Sequence, residues 1–319
     1  MKNYLLFLLL IILSCNLKEL ESPGALVPPT ADQDPKLPQI TIQVAGHNRA
    51  IHLQTFGNPN NPPVFVLHGG PGGDFRLLLP LKALADDFYV VMWDSRGAGL
   101  SERVTKEELS IESFDEEVAQ VKAAIAPYKK IVLIGHSFGA AVEVRYTARH
   151  PEKVQQLIMI EPGKLNYAAD AKSNGGAVNF LDGQDFFWQN EILTSSDHAA
   201  ADYKAIDLLP YSARNWTCDG SVVTNYPFWR FGAYHYYIVQ KNMWHQPKDY
   251  NWTAGIENFK GKISMVCGSC GALGEDFQKK ANLPLFPGIN PHVIPNAGHL
   301  SLFTNYAIQT VDTIKSLLK

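Results

Sequence analysis

Residues 131–144 read IVLIGHSFGAAVEV, and this stretch constrains the chain more than any other. Four apolar residues, Ile131 to Ile134, stop at Gly135, and small residues resume at Gly139, Ala140 and Ala141. An apolar run of this length bounded by glycine reads as a buried strand, and the segment after it reads as a helix. Ser137 stands between the two glycines, at the turn from strand to helix. G-x-S-x-G in that setting can force the serine to an exposed tip, with its hydroxyl at the helix N-terminus, where free N–H groups and the positive end of the dipole suit an oxyanion. It can equally be a tight connection in which serine only caps the helix. The partners a serine nucleophile needs decide between the two.

The rest of the chain supplies a matching frame. Strand-like pieces QITIQV, RAIHLQTF and PPVFVLH are separated by the turns AGHN and GNPNNP. An apolar helical stretch follows near Phe75–Asp86, then the strand FYVVMWD, then a helix SFDEEVAQVKAAIAPY. Ser113 and Glu116 have the spacing of a capping box for that helix. After IVLIG come a helix from Ser137 to about Arg149 and a strand near Val154–Ile160. The alternation resumes with KISMVCG, a helix around Glu275–Asn282, the strand HVIP and a C-terminal helix near Leu300–Leu318. Strands alternating with helices at this pitch predict an α/β fold built on a mostly parallel, doubly wound sheet. Residues 163–258 break the rhythm and hold five of the six tryptophans. They are expected to form an inserted, aromatic-rich, helical cap. The core then divides into residues 39–162 and 259–319. Phe186, Phe187, Trp188, Trp229 and Tyr234 are candidates for lining a pocket under the cap, and no pattern selects among the cap carboxylates Asp170, Asp182, Asp185 and Glu191.

Composition narrows the function classes. The chain has 319 residues, 46% hydrophobic and 18% charged, with a formal net charge of −3. A near-neutral chain without basic runs gives nucleic acid no footprint. The start, MKNYLLFLLLIILSC, has an apolar run too short to span a bilayer and of signal-peptide proportions. Its end, I-L-S-C, resembles the lipobox of bacterial lipoproteins, which implies cleavage before Cys15 and lipidation of that cysteine. Residues 1–15 are then a signal peptide and residues 16–38, rich in proline and polar residues, an extended tether. The expected location is the bacterial cell envelope, with a membrane contact through the N-terminal lipid. Cys218, Cys267 and Cys270 remain, an odd number that argues against a complete disulfide framework. Cys267-x-x-Cys270 lacks a second ligand pair, so it reads as inert core cysteine rather than as a metal site.

Three further segments carry chemistry. His68-Gly69-Gly70-Pro71-Gly72 follows the third strand, where a glycine turn can aim the Gly70 N–H, with that of Phe138, at an oxyanion above Ser137. His68 is expected to hold this loop. Asp94 and Arg96, in WDSRG, are expected to brace the turn after the fourth strand. Asn296-Ala297-Gly298-His299 lies in the last strand-to-helix loop, from which His299 can reach the serine as general base. His198, His235 and His245 fall in the cap and read as packing or surface residues. HGGPGG, WDSRGAGLS, GHSFGA and NAGH, in this order, resemble the α/β-hydrolase superfamily. HGGPG with WDSRGAGLS resembles its prolyl iminopeptidase branch, although that branch tends to carry GGSWG where this chain has GHSFG. The resemblance implies a serine hydrolase acting by an acyl-enzyme on a small ester or amide, with no cofactor.

The triad acid is not where the resemblance implies it. The superfamily usually carries an aspartate as G-x-x-D after the strand preceding the histidine strand, and here that place reads Gly268-Ser269-Cys270-Gly271. Glu161, which ends the strand QQLIMI, is the first substitute, because some members carry their acid after the strand beside the nucleophile strand. Glu275 or Asp276 is the second, although acidic residues are common in a first helical turn for the dipole alone. A chain with no functional acid is the third case. It would leave a binding protein that kept the fold and lost the chemistry. An acyltransferase is a further reading.

Overall fold

The computed structural model describes residues 27–167, 197–212, 216–220, 228–244 and 250–319. The expected signal peptide, Cys15 and residues 16–26 of the tether lie outside them, as do Phe186, Phe187, Trp188, His245 and the four cap carboxylates named above.

Eight strands form one sheet: β1 (Gln39–Val44), β2 (His47–Phe56), β3 (Pro63–Leu67), β4 (Tyr89–Trp93), β5 (Ile131–His136), β6 (Val154–Ile160), β7 (Lys262–Gly268) and β8 (Pro291–Ile294). Their spatial order is β1-β2-β4-β3-β5-β6-β7-β8. β1, β2 and β4 pair antiparallel, and every other pairing is parallel. The central strands β3, β4 and β5 are buried along nearly their whole length because both faces are covered. Phe65, Leu67, Val91, Trp93, Ile131, Leu133, Leu157 and Met159 pack into one layer, while Val64, Val66, Val90, Met92, Val132, Ile134, Ile158 and Ile160 pack into the other. That strict alternation is the period-2 geometry of a strand. Each such side chain contributes about 1.5–3 kcal/mol by leaving water.

Five helices of a full turn or more are described: α1 (Ile111–Ile125), α2 (Phe138–Arg149), α3 (His198–Ser212), α4 (Ala233–Trp244) and α5 (Ala307–Leu317). α3 and α4 lie between β6 and β7 in sequence, within the region expected to form the cap. Three local expectations need correcting. The cap of α1 is Ser110, whose hydroxyl accepts the Ser113 N–H. Ser113 is drawn inward instead, where its hydroxyl meets Arg96 and the carbonyl oxygens of Glu108 and Ser110. The stretch Phe75–Leu84 is a 3₁₀ helix containing Pro80, and residues 275–282 are one short turn continued by a π-type turn. Pro80 cannot donate to an α-helical ladder, which favours the tighter, irregular form.

The turn after β4 is held by two buried side chains. Asp94 accepts N–H groups from Phe75 and Leu100 and contacts His52 Nδ1 at 2.8 Å. Arg96 pairs with Glu117 at 2.6 Å and donates to Glu108 O. His68 receives the Ser95 N–H on Nε2, so its Nδ1 carries the proton given to Gly69 O at 2.8 Å. His235 is buried and directs Nδ1 at Arg96 O.

Candidate active site

Four neighbouring strand ends build the site. Ser137 follows β5, Glu161 follows β6, Gly268 ends β7 and His299 follows β8 by a short loop.

Ser137 sits at φ 56°, ψ −118°, a conformation that side chains rarely adopt and that costs about 1–3 kcal/mol. The glycines around it are there for space. A Cβ on Gly135 would lie 2.5 Å from Ala140 Cα, and one on Gly139 would collide with the carbonyl oxygens of Leu67 and His68. Strand and helix can meet this closely only without side chains. The Ser137 N–H is bonded to Ile160 O at 2.9 Å, so the turn is tied to the residue before Glu161. Gly69 presses on the serine from above, since a Cβ there would lie 2.6 Å from Ser137 Cβ. Gly70 takes φ 131°, open only to glycine, and lines the same cavity as Ser137 and His299. Phe138 begins α2, so its N–H is one of the helix's unpaired donors.

Glu161 has left the strand conformation, with φ 42°. Its carboxylate is fully buried, accepts the Gly268 N–H at 2.7 Å on Oε1, and meets His299 Nδ1 at 2.6 Å on Oε2. Gly268 has to be glycine, because a Cβ would collide with Ala297 O and stand 3.2 Å from Glu161 Oε1. The glycine of the expected G-x-x-D thus remains as a donor to an acid that comes from the strand next door. Glu275 is directed elsewhere: it pairs with Lys279 at 2.7 Å on the surface.

Burial raises Glu161 to about 8, opposed by the Gly268 N–H, and lowers His299 to about 3. Both shifts disfavour charge in a dry site. With the ring proton on Nδ1, given to the Oε2 carboxylate at 2.6 Å, Nε2 is the unprotonated nitrogen. A base for the serine hydroxyl needs that state.

His299 is held on two sides by residues the sequence did not single out. His136 stacks on its ring with centroids 4.3 Å apart, and His136 Nε2 lies 3.2 Å from His299 O. A carbonyl can only accept, so Nε2 of His136 is the donor, and its buried Nδ1 has no partner. Burial, then the neighbouring His299, pushes the His136 imidazole well below the ordinary value and keeps it neutral. On the other side, Trp216 meets the His299 ring edge-on at 5.4 Å, and its carbonyl accepts the His299 N–H at 2.9 Å. The remaining walls of the cavity are Leu77, Leu78, Phe228, Phe231 and Tyr236. Asp74 also lines it, but the carboxylate already accepts N–H groups from Arg76, Trp229 and Arg230. Trp229 packs against His52 and Phe75 instead of the cavity. Tyr234 meets His198 edge-on.

The cysteines depart from the expectation. Cys270 is not an inert core thiol: it forms a disulfide with Cys218, and among the described cysteines only Cys267 is free, buried at the end of β7. The pairing crosses 52 residues, and nothing in the spacing marks it. Among the described residues, no three His, Cys, Asp or Glu side chains converge as a metal site.

Comparison with known proteins agrees with this architecture. Residues 62–205 match the model of the α/β-hydrolase fold family. A proline iminopeptidase from Heyndrickxia coagulans is 38% identical over 114 residues, 35% of this chain and 39% of that protein. A human serine hydrolase-like protein is 32% identical over 127 residues, 39% of this chain and 61% of that protein. The matched segments thus span less than two thirds of these relatives. An esterase from Exiguobacterium antarcticum superposes with a TM-score of 0.64 at 16% identity, covering 87% of this chain and 98% of the esterase, a likeness of fold. The chain has the α/β-hydrolase fold and resembles the proline iminopeptidases over the first part of its core.

Proposed function

We propose that the protein is a serine hydrolase cleaving ester or amide bonds of small, partly apolar substrates. The observation that carries this reading is the 2.6 Å contact of buried Glu161 with His299 Nδ1, in a cavity shared with a strained, half-buried Ser137. Ser137 Oγ attacks the substrate carbonyl while His299 Nε2 takes its proton. The Gly70 and Phe138 N–H groups receive the oxyanion. His299 then returns the proton to the departing alcohol or amine, leaving an acyl-serine. Water, deprotonated by the same histidine, attacks the acyl group and regenerates Ser137. No step calls for a cofactor.

Within this class the walls favour an apolar acyl ester over an amino-terminal prolyl amide. The described lining is mainly apolar, and its single carboxylate, Asp74, already accepts three N–H groups, leaving about one acceptor site for a substrate amine. The contact of Glu161 with His299 supports the catalytic reading over the non-catalytic one.

The test is covalent labelling with a fluorophosphonate, wild type beside Ser137→Ala. Labelling of wild type alone is expected; an unlabelled, folded wild type would sink the reading. Cleavage of a short-chain aryl ester but not of a prolyl arylamide is then expected. Export and lipidation of Cys15 belong to the same proposal. A disulfide persists in oxidising compartments, which supports export. Incorporation of a labelled fatty acid into wild type and not into Cys15→Ser checks the anchor.

A further inference from the structure

The bridge between Cys218 and Cys270 joins the two segments on which the acid–base pair depends. Cys270 follows Gly268, whose N–H holds Glu161, by two residues. Cys218 follows Trp216, whose carbonyl holds the His299 N–H, by two residues. The bridge brings the two cysteine Cα atoms to 5.1 Å. Its sulfurs lie 3.3 Å from Asn296 O and 3.3 Å from Ala297 O, on the loop that carries His299. The backbones are pressed together there: a Cβ on Gly298 would stand 2.6 Å from Trp216 O. Asn296 is fastened to the same place, its N–H bonded to Ser269 Oγ at 2.8 Å, and the Cys270 N–H reaches Ala297 O at 3.3 Å.

We propose that the Cys218–Cys270 disulfide is a positioning element for His299, holding Trp216 against the base so that proton transfer depends on the intact bridge. The inference rests on the hydrolase reading of Ser137, His299 and Glu161. The N–H···O bond and the ring contact between Trp216 and His299 are worth about 1 kcal/mol each. Cross-linking removes the freedom of that segment to leave. A base displaced by about 1 Å can lose on the order of 100-fold in rate. Cys218 is exposed and Cys270 half-buried, so a small reductant reaches the bridge. A dithiol such as dithiothreitol would supply two electrons and two protons. It would leave two cysteine thiols and become a cyclic disulfide itself.

The experiment uses the full chain. Aryl-ester hydrolysis and fluorophosphonate labelling are followed at low temperature before and after dithiothreitol, with thiols titrated and folding checked by circular dichroism. Cys218→Ser/Cys270→Ser is carried in parallel. The expected result is a fall in kcat of about 10- to 100-fold with little change in KM, reversed on reoxidation of wild type but not of the double variant. Should the double variant fail to fold, reduction of folded wild type carries the test. An opened bridge with kcat within twofold of the oxidised protein and only a lower Tm would overturn the inference, leaving a merely structural staple. An oxidised wild type that never labels would overturn the hydrolase reading itself, and this inference with it.

Discussion

The Ser137 side and the His299 side of the site are built in different ways. Ser137 is placed by its immediate neighbours: a strand that opens with four apolar residues, two glycines that admit close backbone approach, and a helix that starts at Phe138. His299 is placed by segments far apart in the chain. Glu161 reaches it across 138 residues, His136 across 163, and Trp216 holds its N–H from the region between β6 and β7. The comparison teaches that one half of a triad can be a local steric motif while the other is a consensus of strand ends. A local motif tolerates few substitutions inside it, and a distributed one can change its parts. Here a glutamate after β6 meets His299, and the loop after β7, where the resemblance implies an aspartate, holds Gly268 and a disulfide.

The comparison is broken most sharply at Glu161. Glu161→Gln is expected to lower kcat on an aryl ester by about 10⁴-fold with the fold retained. Glu275→Gln, which removes only a surface pair with Lys279, should stay within twofold. Reversal of that order would return the acid to the place the resemblance first implied. The pH profile tests the same pair. His299 is lowered by burial to about 3, and a base acts while unprotonated. The acid limb of kcat/KM is therefore expected below the ordinary imidazole value of 6.5, measured under subsaturating ester.

The next effect probes the core-side hold on the base. His136→Phe keeps a stacked ring but removes the donor to His299 O. Losing one buried hydrogen bond of about 1–1.5 kcal/mol predicts a kcat about tenfold lower, read from steady-state kinetics. An unchanged kcat would mean that the stack alone orients the ring.

The smallest effect lies under the nucleophile. Glu143, on α2, is fully buried, and its carboxylate has no hydrogen-bond partner among the described residues. Burial raises its carboxyl well above 4.5, so the native state keeps a proton that the unfolded chain releases. For a raised value, the stability contribution is complete below the unfolded value and is lost as pH rises toward the folded one. Glu143→Gln is thus expected to gain on wild type by up to about 1.4 kcal/mol per pH unit above pH 4.5. Urea denaturation of both proteins from pH 5 to 8 measures it.

These tests also separate what was legible early from what was not. The strand–turn–helix around Ser137, the alternation of strands and helices, and the lateness of His299 were readable because each depends on periodicity or on residues a few positions apart. The cap of α1 was misread by three residues because Ser113 was claimed by Arg96, a partner brought in by tertiary contact. His136 looked like the variable position of a motif; only the loop after β8 makes it a support for the base. The expectation for Cys270 failed because spacing along the chain holds no record of a partner 52 residues away.

The sequence by itself determined the α/β architecture and the turn that strains Ser137, since local sterics and hydrophobic period act without knowing the strand order. Tertiary structure alone decided which carboxylate meets His299 and what holds it there. The order β5-β6-β7-β8 sets Glu161 beside the histidine loop, and strand order is a property of the packed sheet rather than of any segment within it.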